Sequence, residues 1–196
     1  MIDNSLLVPK RAIFNVIGSI CNKPSLLLME GINLDKKDFG EQFYQVIFAA
    51  INNIIMSNPK ISKITPVDID NYLADNTKAY KIYEDNNGFN VVSAAINECN
   101  VEIFEQNYNW IKKLSLLRDF NNNGFDISEI YDPTHYDMKH QSKQLEKLSK
   151  MELSDIIEKI TLKLLNIKND WNISGNYQTY QISEGLDDLL TRLKES

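Results

Sequence analysis

With 196 residues, the chain has room for one large domain or one domain with an appendage, and a hydrophobic content of 43% favours a packed core over a disordered chain. Seven glycines and 5 prolines are few for a sheet-rich fold and predict an all-α protein. A formal net charge of −6 without a basic cluster argues against direct binding of nucleic acid through phosphates. Two isolated thiols, Cys21 and Cys99, give neither a disulfide framework nor a zinc spacing and fit a reducing cytoplasm. Residues 1–10 lack the pattern of a signal peptide, and no apolar run approaches the roughly 18 residues of a membrane span.

Pro9 suits the first turn of a helix in which Ala12, Ile13, Val16, Ile17 and Ile20 recur at helical spacing, with Gly18 marking a close backbone approach. Lys23-Pro24 ends it, and residues 25–29 read as a short buried turn or helix stopped by Gly31. A brief capped turn over residues 35–39 precedes a helix over 41–57, whose stripe is Phe43, Val46, Ile47, Ala50, Ile51, Ile54 and Ile55. Thr65-Pro66 pairs an N-cap with a proline at the first helical position, and Val67, Ile69, Tyr72 and Leu73 follow. Asn86-Asn87-Gly88 is a turn, then a short helix buries Val92, Ala95 and Ile96. From about Val101 to Asn121 runs a long helix with Ile103, Phe104, Tyr108, Ile111, Leu114 and Leu117 as its stripe and Arg118 on the edge. Gly124 provides its stop. Residues 126–149 are polar, 149–171 form a second long amphipathic helix, 172–182 read as a linker, and Ser183 caps a last helix with Leu186, Leu189, Leu190 and Leu193 on one face. The expected layout is a helical head over 1–100, a long helical hairpin over 101–171 with a polar insertion at about 122–150, and a linker with a terminal helix over 172–196.

Catalytic machinery is hard to find in this sequence. The glycines, at 18, 31, 40, 88, 124, 175 and 185, form neither a phosphate-cradling P-loop nor a dinucleotide fingerprint. His135 and His140, with Asp132 and Asp137 nearby, read as a solvated loop rather than a metal site. Paired acids such as Asp187-Asp188 or Asp68 with Asp70 read as solvated surface, and the aromatic residues Phe39, Phe43, Tyr44 and Phe48 as core rather than a base-stacking platform. Arg118 is either a salt-bridging edge residue or part of an interface. The expectation is therefore no catalytic residue, no metal and no cofactor in this chain.

The order of segments resembles the N-terminal domain of DnaB-type replicative helicases. The first helix reads Ala12-Ile13-Phe14-Asn15-Val16-Ile17-Gly18 against the family's Ala-Glu-x-x-Val-Leu-Gly, with Ile13 in place of the acid. A turn with Asp38-Phe39 follows, then Ile47-Phe48-Ala49-Ala50-Ile51, then Val67-Asp68 through Leu73, then Gly88-Phe89, and last a long helix with Tyr108 and Leu117-Arg118. The resemblance covers about residues 6–121, and the stretch from Gly124 to Asp132 looks like an insertion of a phage or mobile-element branch.

The resemblance implies a collar that packs with its neighbours, organises a hexameric ring of the full-length protein, and offers surfaces to primase and a helicase loader. DNA is then met only through the full-length ring, and ATP and magnesium belong to a motor domain beyond Ser196. It further implies that the terminal helix docks on the motor of a neighbouring subunit. Self-association is expected to place Phe104, Ile111, Ile157 and Leu164 near the seams, together with Leu186, Leu189, Leu190 and Leu193. A stand-alone loader or primase-associated helical domain is the alternative, and an unrelated helical protein with an enclosed small-molecule pocket is a third reading.

Overall fold

Helix α1 (Lys10–Asn22) is the axis of the fold, buried along Ala12, Ile13, Val16, Ile17, Ile20 and Cys21. A computed structural model describes residues 2–170, and those residues form eight α-helices with short 3-10 turns and no strand. The chain is all-α, as its few turn residues imply.

A 3-10 turn, Asn4–Leu7, precedes α1, and a second, Pro24–Leu28, follows where Pro24 ends it. The turn Lys36–Phe39 carries a capping box between Asp35 and Asp38 and leads into α2 (Gln42–Ser57). Helix α3 (Pro66–Ala74) starts as its sequence predicts. The Thr65 side chain accepts from the Asp68 amide, the Asp68 carboxylate accepts from the Thr65 amide, and Pro66 needs no partner for an N–H it lacks. Helix α4 (Thr77–Asp85) is capped by Asn76, and α5 (Gly88–Glu98) follows a left-handed Asn87. After a 3-10 turn at Val101–Ile103 comes α6 (Phe104–Asn122), then α7 (Met138–Lys150) and α8 (Leu153–Asp170).

Helix α1 packs on α5 and α6, while α2, α3 and α4 pack on one another, α3 and α4 also against α5. The α1–α5 approach depends on Gly18, where an added Cβ would lie 2.0 Å from the Ala95 carbonyl oxygen. The core holds Val16, Ile17, Ile20, Ile47, Phe48, Ile51, Leu73 and Val92, with Phe43 packed at its margin. Phe39 stacks on Phe48 with ring centroids 4.4 Å apart.

Residues Met1–Ile157 form one compact unit and Glu158–Ser196 a second. The boundary expected at residue 100 is therefore not a structural division: Phe104 and Ile111 of α6 belong to the same core as α1 and α2. Inside this unit α6 packs against α1 and the 3-10 turns at 4–7, 36–39 and 101–103, and its Lys113 reaches the end of α7. The insertion expected at 122–150 holds a helix of its own, α7. The linker and terminal helix expected over 172–196 lie outside the described residues.

Candidate protein-interaction surface

Four polar side chains on α6, at three-residue steps, hold the start of the chain and the 36–39 turn. Lys112 meets the Asp38 carboxylate at 2.8 Å, and Ser115 donates to its other oxygen at 2.7 Å. Arg118 donates to the carbonyls of Leu7 at 2.8 Å, Asp38 at 2.7 Å and Lys37 at 3.3 Å. Asn121 donates to the Ile2 carbonyl and the Asn4 side chain, both at 2.7 Å. Successive members adjoin on the helix surface, but each step of three falls back by about 60°, so the row winds obliquely round about half of α6 and gathers segments that are far apart in sequence.

The row is buried. Asp38 is 1% exposed and Arg118 5%. Burial pulls the Arg118 guanidinium below its ordinary value, and the carboxylates of Asp38 and Asp119 pull the other way. Arg118 is thus neither an edge residue nor an interface residue. Its planar fork serves backbone carbonyls that end the N-terminal and 36–39 turns, a task a point charge performs less well. Gly40 makes room for it with a left-handed φ of +71°; an added Cβ would lie 2.7 Å from Val8 Cγ2 and 3.4 Å from Arg118 Cζ.

On the opposite side, Lys113 is 7% exposed and donates to the carbonyls of Leu148 and Ser149, at 3.3 and 2.9 Å. It donates to carbonyls in the last turn of α7, of which Leu148 also accepts from the Met151 amide, and a cation there suits the helix dipole. Helix α7 in turn threads the loop before it. The Gln144 side chain accepts from the Asp132 amide and donates to the Ser128 carbonyl, and Gln141 donates to the carbonyls of Pro133 and His135. His135 and His140 stack with centroids 4.2 Å apart, and no cluster of metal-ligating side chains occurs among the described residues. Thr134 is the main cause holding the Asp132 carboxyl below its usual range.

Of the two thiols, Cys21 is buried, and burial pushes its pKa up to about 12, which makes it a core residue rather than a nucleophile. The Tyr83 hydroxyl is buried without a hydrogen-bond partner, and burial raises its pKa too.

A groove of about 640 Å³ runs beside the start of α1, walled by Lys10, Arg11 and Phe14 on one side and by Glu98, Ile103 and Trp110 on the other. The groove is open and mixed in character, with Asn15, Asn100 and Asn107 among its lining, rather than an enclosed pocket.

The expected seam residues divide. Phe104 and Ile111 are 3% and 0% exposed, because the helix stripe that the sequence leaves uncovered is covered by α1. They are core residues, and their assignment to a seam is corrected. Ile157 and Leu164 on α8 are 38% and 46% exposed. Leu186, Leu189, Leu190 and Leu193 lie outside the described residues. No helix among the described residues is long and apolar enough to cross a membrane.

Compared with known proteins, the chain is 33% identical over 192 residues to the SPbeta prophage-derived uncharacterized protein YorI of Bacillus subtilis (strain 168). The similar region takes in 97% of this chain but 38% of that protein, so the chain spans well under half the length of this relative. No protein-family profile matches the chain, and no solved structure matches it.

Proposed function

We propose that this chain is the N-terminal collar and protein-interaction region of a DnaB-type replicative DNA helicase, supporting ring assembly and the binding of primase or a helicase loader. One observation carries the reading: the Asp38-Phe39 turn and the Leu117-Arg118 pair, separate pieces of the resemblance, meet in one buried network on α6. Sequence pieces that work as one physical unit are better evidence of relationship than the same pieces scattered over a fold.

Two further observations support it. The prophage protein extends far beyond the region it shares with this chain, which leaves length for a motor domain. Its prophage source accords with the mobile-element branch that the stretch after Gly124 suggests. In this reading the chain performs no chemistry. ATP and magnesium are bound by the motor, and DNA is engaged by the assembled ring.

The test uses a longer protein in which this region is joined to such a motor. It should assemble as a hexamer and hydrolyse ATP in response to single-stranded DNA, and this chain alone should not hydrolyse ATP. A longer protein that stays monomeric and lacks DNA-stimulated hydrolysis would overturn the reading, as would submicromolar binding of single-stranded DNA by this chain alone at physiological salt.

A further inference from the structure

Helix α7 concentrates positive charge that the acidic balance of the chain conceals. Residues 138–150 hold four lysines and one glutamate in a chain of net charge −6. At about 100° per residue, Lys139, Lys143, Lys147 and Lys150 fall within an arc of about 80°, turned away from the buried Gln144 and Leu148. All four lysines are exposed. Lys150 is paired with Glu146 at 2.7 Å, whereas Lys139, Lys143 and Lys147 make no ion pair among the described residues. These three recur at four-residue steps, about 6 Å apart along the axis. Like charges at that spacing repel, and a counter-charge laid along the row relieves the repulsion.

The N-terminal end of the row meets a set of stacked rings. His140 is the helical neighbour of Lys143. It stacks with His135, centroids 4.2 Å apart, and His135 stacks with Tyr136 at 4.8 Å. The backbone fixes these rings: His135 Nδ1 accepts from the Asp137 amide at 3.1 Å, and Gln141 donates to the His135 carbonyl at 2.6 Å. Of the nearby acids, Asp137 caps α7 through the Lys139 amide, and Asp132 accepts from the amide and hydroxyl of Thr134. Tyr136 is nevertheless 94% exposed. A held aromatic face beside a row of free ammonium groups has both parts of a single-strand site, one for bases and one for phosphates. An acidic peptide would use the lysines and leave the ring idle. A duplex keeps its base faces stacked inside. We propose that α7 and the loop before it bind single-stranded nucleic acid, with phosphates along Lys139, Lys143 and Lys147 and a base stacked on Tyr136.

Titration of the full chain into labelled oligo-dT, followed by fluorescence anisotropy, tests this. Binding at low salt should be micromolar. It should weaken with salt at a log–log slope of about −2, from three phosphates at about 0.7 each on a single strand. Lys139→Gln/Lys143→Gln/Lys147→Gln should bring that slope near zero. Tyr136→Ala should weaken binding about fivefold or more, and Tyr136→Phe should bind as the parent does. An abasic strand should bind the parent and Tyr136→Ala chains equally. All four residues are exposed, so the variants keep the fold. No binding at low salt, or a Tyr136→Ala chain that binds oligo-dT as the parent does, would overturn the proposal. So would polyglutamate bound as tightly as oligo-dT, which would make the surface a dock for acidic peptides. The proposal stands on α7 and its loop and not on the helicase reading. Its failure leaves the hexamer and the DNA-stimulated hydrolysis of the longer protein as expected, whereas submicromolar binding at physiological salt would overturn the helicase reading and support this one.

Discussion

The guanidinium of Arg118 and the main-chain carbonyl of Asp38 are joined by a 2.7 Å hydrogen bond across 80 residues of sequence. The same side chain satisfies the Leu7 carbonyl at 2.8 Å. Arg118→Met would keep much of the apolar stem but leave these buried carbonyls without a donor, each worth about 1–3 kcal/mol. The expected loss of unfolding free energy is about 3 kcal/mol, with Arg118→Lys intermediate because an ammonium cannot reach both carbonyls with a planar fork. Urea denaturation checks this, and a loss below about 1 kcal/mol for Arg118→Met would show that water replaces the side chain.

Phe48 is 2% exposed and stacked on Phe39. Phe48→Ala should cost about 3–5 kcal/mol. A double-mutant cycle with Phe39→Ala should give a coupling of about 0.5–1.5 kcal/mol; additive losses would mean that the stacking geometry contributes nothing beyond area.

Gly40 combines a left-handed backbone with a close neighbour on each side. Gly40→Ala should destabilise by about 1–3 kcal/mol. Part of that loss comes from the contact with Val8 and should be recovered in a Val8→Ala background. No recovery would assign the whole effect to the backbone.

Cys21 has a thiol pKa raised from 9.0 to about 12 by burial. A group raised on folding contributes stability that is fully present below its unfolded value and is lost as pH rises toward its folded value. Stability should therefore fall from about pH 9 upward, and Cys21→Ala should show a shallower fall than the parent chain. At pH 8, Cys99 should react with a thiol reagent well before Cys21, and equal rates would show that Cys21 is more accessible than its burial implies.

Gln144, 9% exposed, ties α7 to the loop ahead of it through Asp132 and Ser128. Gln144→Ala should speed amide exchange across residues 126–136 while costing only about 1–2 kcal/mol globally. Exchange rising equally in α1 and α2 would instead make the loop part of one cooperative unit with the head.

Legibility in the sequence followed apolar spacing and capping chemistry. Helix α2 shows a broad stripe, and α3 opens on Thr65-Pro66 with Asp68 three residues into the box, so both are readable without coordinates. Helix α4 gives little apolar signal, although Asn76 is a cap, because Tyr83 is its only buried side chain. Helix α7 was hidden for a different reason. Its inner face carries Gln141 and Gln144 beside Leu145 and Leu148, and hydrogen bonds to loop carbonyls replace apolar contacts there, leaving a helix that reads as polar throughout. The row on α6 escaped for the same cause. Lys112, Ser115, Arg118 and Asn121 are spaced as neighbours, but a polar row on a surface helix ordinarily meets water, and only the folded chain brings Asp38 and Leu7 to it. The stripe of α6 is apolar, as its spacing implies, but it is covered rather than free, because its cover, α1, comes from a distant part of the sequence.

The anchorage of the chain's first residues by Arg118 and Asn121 bears on the order in which the polypeptide takes shape as it is synthesised. Ile2, Asn4 and Leu7 leave the ribosome well before their hydrogen-bonding partners, which are added more than 100 residues later. Until α6 has emerged, the nascent head holds α1 without part of its cover. A holdase that recognises apolar helix faces has its window during that interval, and the window closes when the last member of a four-residue row reaches the first turn of the protein.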